Sequence, residues 1–352
     1  RPSAGRHGGV PPFPPAPDVM MSPHREAGIG EAYYTVQLFE RMMRPVSPIR
    51  QFFHYAGWYV SSLFGRKKPL VNTMVIHYGC NLRCAHCAVA ANEGKLTGPS
   101  SMTWEMATRE MRSEYGKGSR IVFFEGGEPT IWKDGDKGFE DLIAEAKRIG
   151  YYVTGYTTNG TGRIVEGSEA IAVSLDGPEE VHDRMRALGV YGKLMENLGR
   201  TAHPNIFANM TISQDNMGHL RETAEIVART PQLRGLMINF QTPPPAERTL
   251  NLEEKRAVVD EALRLKREGL PIMNSKRALK ELLITDYTDR CPYWVSSFMI
   301  PDGTKHYGCP MRAVESCRDC GFDAVREYRL ITAGNIGTIL SMSRFAISKP
   351  PR

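Results

Sequence analysis

The chain has 352 residues, of which 41% are hydrophobic and 24% are charged, and its formal net charge is +6. These values are typical of a globular protein that can bury one large core or two smaller ones. Lysine and arginine are spread along the chain without a long basic run, which argues against nucleic acid as a partner, and no apolar stretch approaches the roughly 20 residues of a membrane-spanning helix.

Residues 1–19 are rich in proline and glycine, a composition that cannot form a packed core. We predict that they form a disordered or non-native leader. They lack the apolar centre of a signal peptide. Because Met20 and Met21 follow directly, we expect translation to start at one of them. Residues 20–70 are predicted to form an N-terminal helical segment.

Two amphipathic helices are predicted in this segment, over 31–44 and 49–64. The second has an apolar stripe at helical spacing, made of Ile49, Phe53, Ala56, Val60, Leu63 and Phe64. A basic cluster, 66–68, follows it. We expect this helix to pack over the main domain. The alternative is that 49–68 lies on a membrane surface, because apolar and aromatic residues beside basic ones favour such contact.

Strands and helices alternate from residue 71 to about 285. The predicted strands are 72–77, 120–124, 152–156, 170–175, 206–212 and 235–239. The predicted helices are 103–115, 139–149, 193–201, 217–229 and 252–268. This alternation indicates an α/β fold with a parallel sheet, and six strands predict a partial (β/α)6 TIM-like barrel over 71–285. Active sites of such barrels lie at the carboxyl ends of the strands.

Three cysteines, Cys80, Cys84 and Cys87, lie in one loop directly after the first predicted strand. Three thiolates suit an iron–sulfur cluster, which normally has four protein ligands, so one iron would keep an open position. A zinc site with His86 as fourth ligand is an alternative, but a histidine between two of the cysteines is poorly placed to chelate. Clustered cysteines in a large chain also predict a reducing, cytoplasmic compartment.

Polar and glycine-rich motifs end the next strands. The second strand runs into Gly126-Gly127-Glu128-Pro129, where the glycines permit close approach to the backbone and Glu128 supplies a carboxylate. Asn159 follows the third strand. Ser174 and Asp176 end the fourth, although Asp-Gly-Pro is also a good turn. Asn209 lies on the fifth strand.

The C-x3-C-x2-C loop followed by Gly-Gly-Glu-Pro resembles the radical S-adenosylmethionine (SAM) superfamily. The resemblance implies a partial barrel whose cysteine loop holds a 4Fe–4S cluster, with SAM chelated by the open iron and cleaved by one electron to methionine and a 5′-deoxyadenosyl radical. It gives His86 a packing role against the cluster and suggests Arg184 or Arg186 for the SAM carboxylate. The residues it assigns to SAM binding are Gly126, Gly127, Glu128, Pro129, Asn159, Ser174, Asp176 and Asn209.

A second group of cysteines lies in the predicted C-terminal segment, 286–352, and consists of Cys291, Cys309, Cys317 and Cys320. A hairpin with Asp302-Gly303 at its turn would bring distant cysteines together. Four thiolates saturate one 4Fe–4S cluster or one zinc ion. The segment resembles the SPASM or twitch extensions of radical SAM enzymes, which implies a second 4Fe–4S cluster that carries electrons.

The resemblance predicts an enzyme that abstracts a hydrogen atom from a substrate and takes electrons from a small donor such as flavodoxin or ferredoxin. A peptide, a lipid or another small molecule could be the substrate. The candidate general bases are His77, Glu125, Asp176 and Asp183, and none stands out. The alternative functions are a non-catalytic iron–sulfur electron-transfer or metal-binding protein, and a zinc-stabilised binding module.

Overall fold

The computed structural model describes residues 47–91, 98–243, 245–309 and 316–346 of the chain. The predicted leader, 1–19, and the predicted helix, 31–44, lie outside these ranges.

The described strands form one large sheet and one short two-stranded ribbon. The strands are β1 (Val71–His77), β2 (Ile121–Gly126), β3 (Lys133–Asp134), β4 (Lys137–Gly138), β5 (Val153–Thr158), β6 (Ala170–Ser174), β7 (Ile206–Ile212), β8 (Leu233–Phe240), β9 (Ser296–Met299) and β10 (Lys305–Tyr307). The six strands predicted from the sequence are β1, β2, β5, β6, β7 and β8. Each lies within three residues of its predicted bounds.

The order of strands in the large sheet is β10-β9-β1-β2-β5-β6-β7-β8. Neighbours from β1 to β8 pair in parallel, with registers such as Val71 opposite Ile121. The parallel partial barrel expected from alternating strands and helices is therefore confirmed. Parallel pairing places the carboxyl ends of all six strands at one edge.

The described helices are α1 (Pro48–Leu63), α2 (Ala88–Ala91), α3 (Trp104–Lys117), α4 (Phe139–Ile149), α5 (Glu179–Met185), α6 (Val190–Gly199), α7 (Leu220–Arg229), α8 (Leu252–Arg267), α9 (Lys276–Glu281), α10 (Asp323–Thr332) and α11 (Ile336–Ala346). Their ends follow local sequence signals. The Thr103 hydroxyl caps the start of α3 by accepting the Met106 amide. Gly150 ends α4 in the left-handed conformation.

Alternate residues of the strands face two different environments. Met74, Ile76, Val122 and Phe124 are fully buried in the core between the sheet and the helices. Phe123 and other residues at the opposite phase face the lumen of the barrel. This two-residue periodicity separates a packed outer core from a lumen that side chains leave partly open.

The C-terminal hairpin predicted around Asp302-Gly303 is formed by β9 and β10, which pair antiparallel. It also extends the main sheet, because β9 pairs in parallel with β1, with Val71 opposite Ser296. The sequence did not predict this pairing. Residues on either side of the predicted boundary at 285/286 thus share one sheet, and the two-domain division remains a prediction.

Helix α1 packs on the main domain through its aromatic and polar side. Trp58 stacks on Trp294 with ring centroids 5.4 Å apart, and His54 contacts the Tyr152 ring edge-on. The predicted apolar stripe faces outward instead, since Phe53 is 68% exposed and Phe64 is 81% exposed. Within the described residues, no helix combines the length and hydrophobicity needed to cross a membrane.

Candidate active site

A cavity of about 490 Å³ opens at the carboxyl ends of the strands and continues into the lumen. Gly126 ends β2, Ser174 ends β6 and Phe240 ends β8, and all three line it. The cavity therefore lies where a barrel of this type is expected to hold its active site. Of the residues that the sequence assigned to the cluster and SAM, those that line it are Cys80, Cys84, Cys87, Gly126, Gly127, Asn159, Ser174 and Asn209.

The three cysteines of the first loop share this cavity. The Leu82 amide lies 3.4 Å from the Cys80 sulfur, and the Ala90 amide lies 3.5 Å from the Cys87 sulfur. The Arg186 guanidinium lies 3.8 Å from the Cys84 sulfur. N–H donors aimed at sulfur stabilise thiolates and tune the potential of iron–sulfur clusters. This donor set fits an iron–sulfur cluster.

Burial raises the pKa of the Cys84 thiol to about 11 and also raises the pKa of Cys80. Both thiols are therefore protonated near neutral pH before metal binds. Because metals bind thiolates, loading of the site must release these protons.

His86 lines the cavity and is 9% exposed. Its Nε2 lies 3.8 Å from a carboxylate oxygen of Asp176. Burial lowers the pKa of His86, and the Asp176 charge opposes this shift without outweighing it. A neutral imidazole packed in the cavity wall is compatible with the packing role that the sequence suggested.

The neighbouring backbone leaves no room for a side chain at Gly126 or Gly127. A Cβ on Gly126 would lie 2.4 Å from the His77 carbonyl oxygen, and one on Gly127 would lie 2.1 Å from the Gly79 carbonyl oxygen. The Gly127 amide donates to His77, and the Glu128 amide donates to Gly79, at 2.9 and 2.8 Å. The Gly-Gly turn thus packs directly under the cysteine loop, a reason the sequence did not reveal.

The Glu128 side chain is 2% exposed and points into the protein. One carboxylate oxygen accepts hydrogen bonds from the amide and hydroxyl of Thr130 and from the Thr158 hydroxyl, the last at 2.7 Å. The other accepts from the Asn159 amide at 2.7 Å. Glu128 therefore ties the end of β2 to the end of β5. Neither Glu128 nor Pro129 lines the cavity, and the hydrogen bonds of the Glu128 side chain are to the protein's own donors. The assignment of both residues to SAM binding remains a prediction.

Asp176 is fully buried and forms an ion pair with Arg186 at 2.6 Å. Its other carboxylate oxygen accepts the Thr211 amide at 3.1 Å. Burial alone would raise the pKa of Asp176, but the charge and hydrogen bond of Arg186 outweigh it, and the pKa falls below its ordinary value. Asp176 does not line the cavity. Its charge acts on the cavity through Arg186, which lines it beside Cys84.

Ser174, Asn159 and Asn209 do line the cavity, from β6, the end of β5 and β7. The Asn159 amide group donates to Asn81 in the cysteine loop at 2.8 Å. The side-chain oxygen of Asn209 accepts a hydrogen bond from the side-chain amide of Asn239 on β8 at 2.8 Å. Asn159 and Asn209 thus combine a cavity-facing position with support from a neighbouring element, which is the arrangement that a small polar ligand needs.

Two further predicted residues lie away from the cavity. The Asp183 carboxylate accepts the amides of Gly189 and Tyr191 at the start of α6. Arg184 is exposed and approaches the carbonyl oxygen of Asp215. Local helix and turn contacts account for both.

Sequence reasoning missed the wall of the cavity that β8 and the start of α10 provide. That wall contains Asn239, Gln241, Thr242, Phe322 and Ala324. The rule that polar residues at strand ends face the active site could have identified the first three, since they end the sixth barrel strand. The last two could not have been identified, because α10 lies some 80 residues later in the chain.

Three of the four C-terminal cysteines, Cys291, Cys317 and Cys320, are connected through Tyr287 and Arg326. The Cys291 amide donates to the Tyr287 carbonyl, and the Tyr287 amide donates to the Cys317 carbonyl, both at 2.9 Å. Arg326 is fully buried and its guanidinium lies 3.5 Å from the Cys320 sulfur. None of the seven cysteines is in a disulfide bond.

The described His, Cys, Asp and Glu side chains include no group of three that is arranged to hold a single metal ion. The ligands of a 4Fe–4S cluster bind different irons, so they lie farther apart than the ligands of one ion.

Residues 74–225 match the family model described as "Radical SAM superfamily". Curated relatives include Fe-coproporphyrin III synthase of Methanosarcina barkeri, 27% identical over 58% of this chain and 54% of the relative. Mycofactocin maturase MftC of Mycobacterium tuberculosis is 28% identical over 47% of this chain and 43% of the relative. The chain thus spans about half the length of the curated relatives that it matches.

Solved structures share the fold. SuiB of Streptococcus suis bound to S-adenosylmethionine aligns with a TM-score of 0.53 and 13% identity, over 82% of this chain and 66% of that one. The structure of anSMEcpe with bound AdoMet and a peptide aligns with a TM-score of 0.54 and 17% identity, over 75% of this chain and 80% of that one.

Proposed function

The chain belongs to the radical SAM superfamily, and from this premise we propose that it is an enzyme that cleaves SAM reductively to remove a hydrogen atom from a substrate. In this proposal Cys80, Cys84 and Cys87 hold the 4Fe–4S cluster that the family implies. The cluster and SAM together supply a 5′-deoxyadenosyl radical, the species that abstracts the hydrogen. The observation that carries the proposal is that three sulfurs and polar side chains from successive strand ends line one cavity.

The protein's own residues hold the cysteine loop in place and orient SAM. Asn159 supports the cysteine loop through Asn81, and the buried Arg186 places a positive charge beside the Cys84 sulfur. A nearby positive charge favours the thiolate over the thiol. Ser174 on β6 and Asn209 on β7 can form hydrogen bonds to a ligand in the cavity, which suits them to orient SAM. The apolar lumen below excludes water from the reacting atoms.

The second group of cysteines supports the proposal of an auxiliary 4Fe–4S cluster held by Cys291, Cys309, Cys317 and Cys320. If all four thiolates are used, this cluster has no open iron, and electron transfer is its proposed role. The buried Arg326 next to Cys320 would offset part of the negative charge of the thiolates. Small reduced proteins of the flavodoxin or ferredoxin type are the proposed electron donors.

A peptide is the substrate class that the comparisons favour. Mycofactocin maturase MftC is among the relatives, the sporulation killing factor maturation protein SkfB of Bacillus subtilis is 23% identical over 47% of this chain, and SuiB is known in complex with the precursor peptide SuiA. We propose that this chain likewise modifies a peptide. A porphyrin-type or nucleotide substrate, suggested by other relatives, is the alternative.

The decisive experiment compares the wild-type protein with Cys84→Ala after anaerobic reconstitution with iron and sulfide. With dithionite and SAM, the wild type is expected to release 5′-deoxyadenosine, and the variant is expected to release only background amounts because the cluster has lost one of its three ligands. Product is measured by liquid chromatography. A reconstituted wild type that binds iron but releases no 5′-deoxyadenosine would support the non-catalytic electron-transfer alternative.

We also propose that α1 lies on a membrane surface. Ile49, Phe52, Phe53, Val60 and Leu63 are each 49% or more exposed, and the basic cluster 66–68 follows. A large exposed apolar face next to basic residues suits the surface of an anionic bilayer.

Vesicle sedimentation tests this contact. Wild-type protein is expected to bind vesicles that contain phosphatidylserine, and Phe52→Ser/Phe53→Ser is expected to bind on the order of tenfold more weakly, because two phenyl groups no longer enter the bilayer. Leu188→Ser is the matched control, since Leu188 is 95% exposed and lies outside α1. Equal binding by wild type and double variant would exclude α1 as the contact.

A further inference from the structure

Glu125 lies in the wall of the cavity. It is the next-to-last residue of β2, it stands opposite Val75 of β1, and it lines the cavity together with Phe123 two residues earlier. Its side chain is half-buried. Among the described residues that line this cavity, Glu125 is the one that carries a carboxylate.

In the part of the chain that the structure describes, this carboxylate has no donor. Within the described residues, no hydrogen bond or ion pair is formed by the Glu125 side chain. The other acidic side chains near the site differ in this respect: Glu128 accepts four hydrogen bonds, and Asp176 is paired with Arg186. Of the candidate bases that the sequence could not rank, Glu125 is thus the acid that remains available to a ligand.

Burial raises the pKa of Glu125 to about 7. An ionised carboxylate in an apolar cavity without donors is unfavourable, and the raised pKa expresses that cost. A ligand with a positively charged N–H group offsets this free-energy cost, because charge-assisted hydrogen bonds are stronger than neutral ones. The cavity is therefore prepared for a cation at this point.

The C-terminal segment closes the same region. Phe322 and Ala324 at the start of α10 line the cavity, and Tyr328 on α10 lies near Glu125. Burial, together with the negative charge of Glu125, raises the pKa of Tyr328 to about 12. Tyr328 has no hydrogen-bond partner within the described residues. Tyr328 therefore lies close enough to Glu125 to be influenced by its charge, and neither side chain has a hydrogen-bond partner among the described residues.

The protein's own cation in the cavity is already engaged. Arg186 is held by Asp176 at 2.6 Å and lies beside Cys84. Much of the remaining wall is apolar, as Phe123, Phe207 and Met237 show. A positive group on a ligand would therefore find Glu125 as its carboxylate partner, and apolar surface around it would strengthen the attraction.

From this geometry we propose that Glu125 anchors the substrate by binding a protonated amine that the substrate carries. The proposal rests on the proposed function, in which this cavity holds both SAM and the substrate. It makes Glu125 a specificity-determining residue: substrates with a cationic nitrogen bind, and anionic ones are rejected.

Calorimetric titration of the reconstituted protein, with saturating SAM and no reductant, tests this assignment. The probe is phenethylammonium, and 2-phenylethanol and 3-phenylpropionate are its neutral and anionic counterparts. Wild-type protein is expected to bind phenethylammonium, and the affinity of Glu125→Gln for this probe is expected to be lower by roughly tenfold or more. The alcohol should bind both proteins alike. Glu253→Gln, at an exposed acid on α8, is the matched control and should behave as wild type.

Folding of the variant is checked by its melting temperature at pH 8 without probe. Because a neutral amide replaces an unpaired carboxylate, the melting temperature of Glu125→Gln is expected to equal or exceed that of wild type. A lower melting temperature would show that Glu125 has a protein partner and would contradict the proposal.

Several binding results would overturn the proposal. The wild type could fail to bind phenethylammonium, or the wild type and Glu125→Gln could bind it with equal affinity. The third result is that the wild type binds 3-phenylpropionate as tightly as it binds phenethylammonium. A variant with weakened SAM binding but unchanged phenethylammonium binding would assign Glu125 to the cofactor instead. Since no SAM is cleaved in these titrations, their outcome is separate from the test of the proposed function with Cys84→Ala.

Discussion

Replacing Gly127 with alanine is expected to destabilise the protein by on the order of 3 kcal/mol and to reduce its iron content after reconstitution. The new methyl group would lie 2.1 Å from the Gly79 carbonyl oxygen and 2.5 Å from that of Tyr78. Both contacts are with backbone atoms, which cannot rotate away as the end of a side chain can. The cysteine loop must therefore move as a whole.

Movement of the loop would also break hydrogen bonds that hold it. The Gly127 amide donates to His77 at 2.9 Å, and the Glu128 amide donates to Gly79 at 2.8 Å. Cys80 follows Gly79 directly, so a shift of Gly79 changes the position of a proposed cluster ligand. We expect stability and iron binding to fall together for this reason.

Urea denaturation and iron analysis measure the two effects. Gly192→Ala is the matched control, because Gly192 lies inside α6 and nothing stands within 4 Å of the position of its added Cβ. Alanine in a helix is favoured over glycine by up to about 1 kcal/mol, so this control should be neutral or stabilising. A Gly127→Ala protein with wild-type stability and iron content would show that the Gly-Gly turn does not support the loop as described.

Replacing Arg186 with methionine is the second change with a large expected effect. It leaves the Asp176 carboxylate fully buried without its cation, and breaking a buried ion pair from one side typically costs about 3–5 kcal/mol of unfolding free energy. The hydrogen bond from the Thr211 amide remains as partial compensation. The loss is measured by urea denaturation at pH 7.

The sign of the pH dependence follows from the lowered pKa of Asp176. A carboxyl whose pKa is lower in the folded state stabilises the protein above its unfolded pKa, and this stabilisation is lost as the pH falls through the folded pKa. The difference between wild type and Arg186→Met should therefore be largest near neutral pH and should shrink in acid.

Two further variants make the interpretation specific. Asp176→Asn/Arg186→Met removes both charges and is expected to recover part of the lost stability, since no buried charge is left unpaired. Arg184→Met is the matched control on α5, because Arg184 is exposed and lies two residues away. If Arg186→Met is no less stable than Arg184→Met, the buried ion pair is not a major source of stability.

The sequence by itself predicted the elements of the barrel and the position of its cysteine loop. Strand alternation and helix periodicity are local signals, and they placed β1, β2, β5, β6, β7 and β8 and most of the helices that follow them. Cysteine spacing is local as well, because all three residues lie within eight consecutive positions in the loop that follows one strand. Such features depend on near neighbours in the chain and are therefore readable without a structure.

Other features depended on partners far away in the chain. The glycines of the Gly-Gly turn contact the backbone near residue 79, Glu128 bonds to Thr158, and β9 joins β1 across more than 200 residues. The sequence showed that α1 has an apolar stripe, but only the packing of Trp58 on Trp294 decided that the stripe faces outward.

The acidic residues of the site illustrate the same limit most directly. From the sequence, Glu125, Asp176 and Asp183 were equivalent candidates. Among the described residues of the folded chain, Asp176 is paired with Arg186, Asp183 caps α6, and Glu125 faces the cavity without a donor. The type of each side chain was fixed by the sequence, whereas its chemical role depends on which donors and charges the tertiary structure brings within reach, because burial and hydrogen bonding determine whether a carboxylate is satisfied or available.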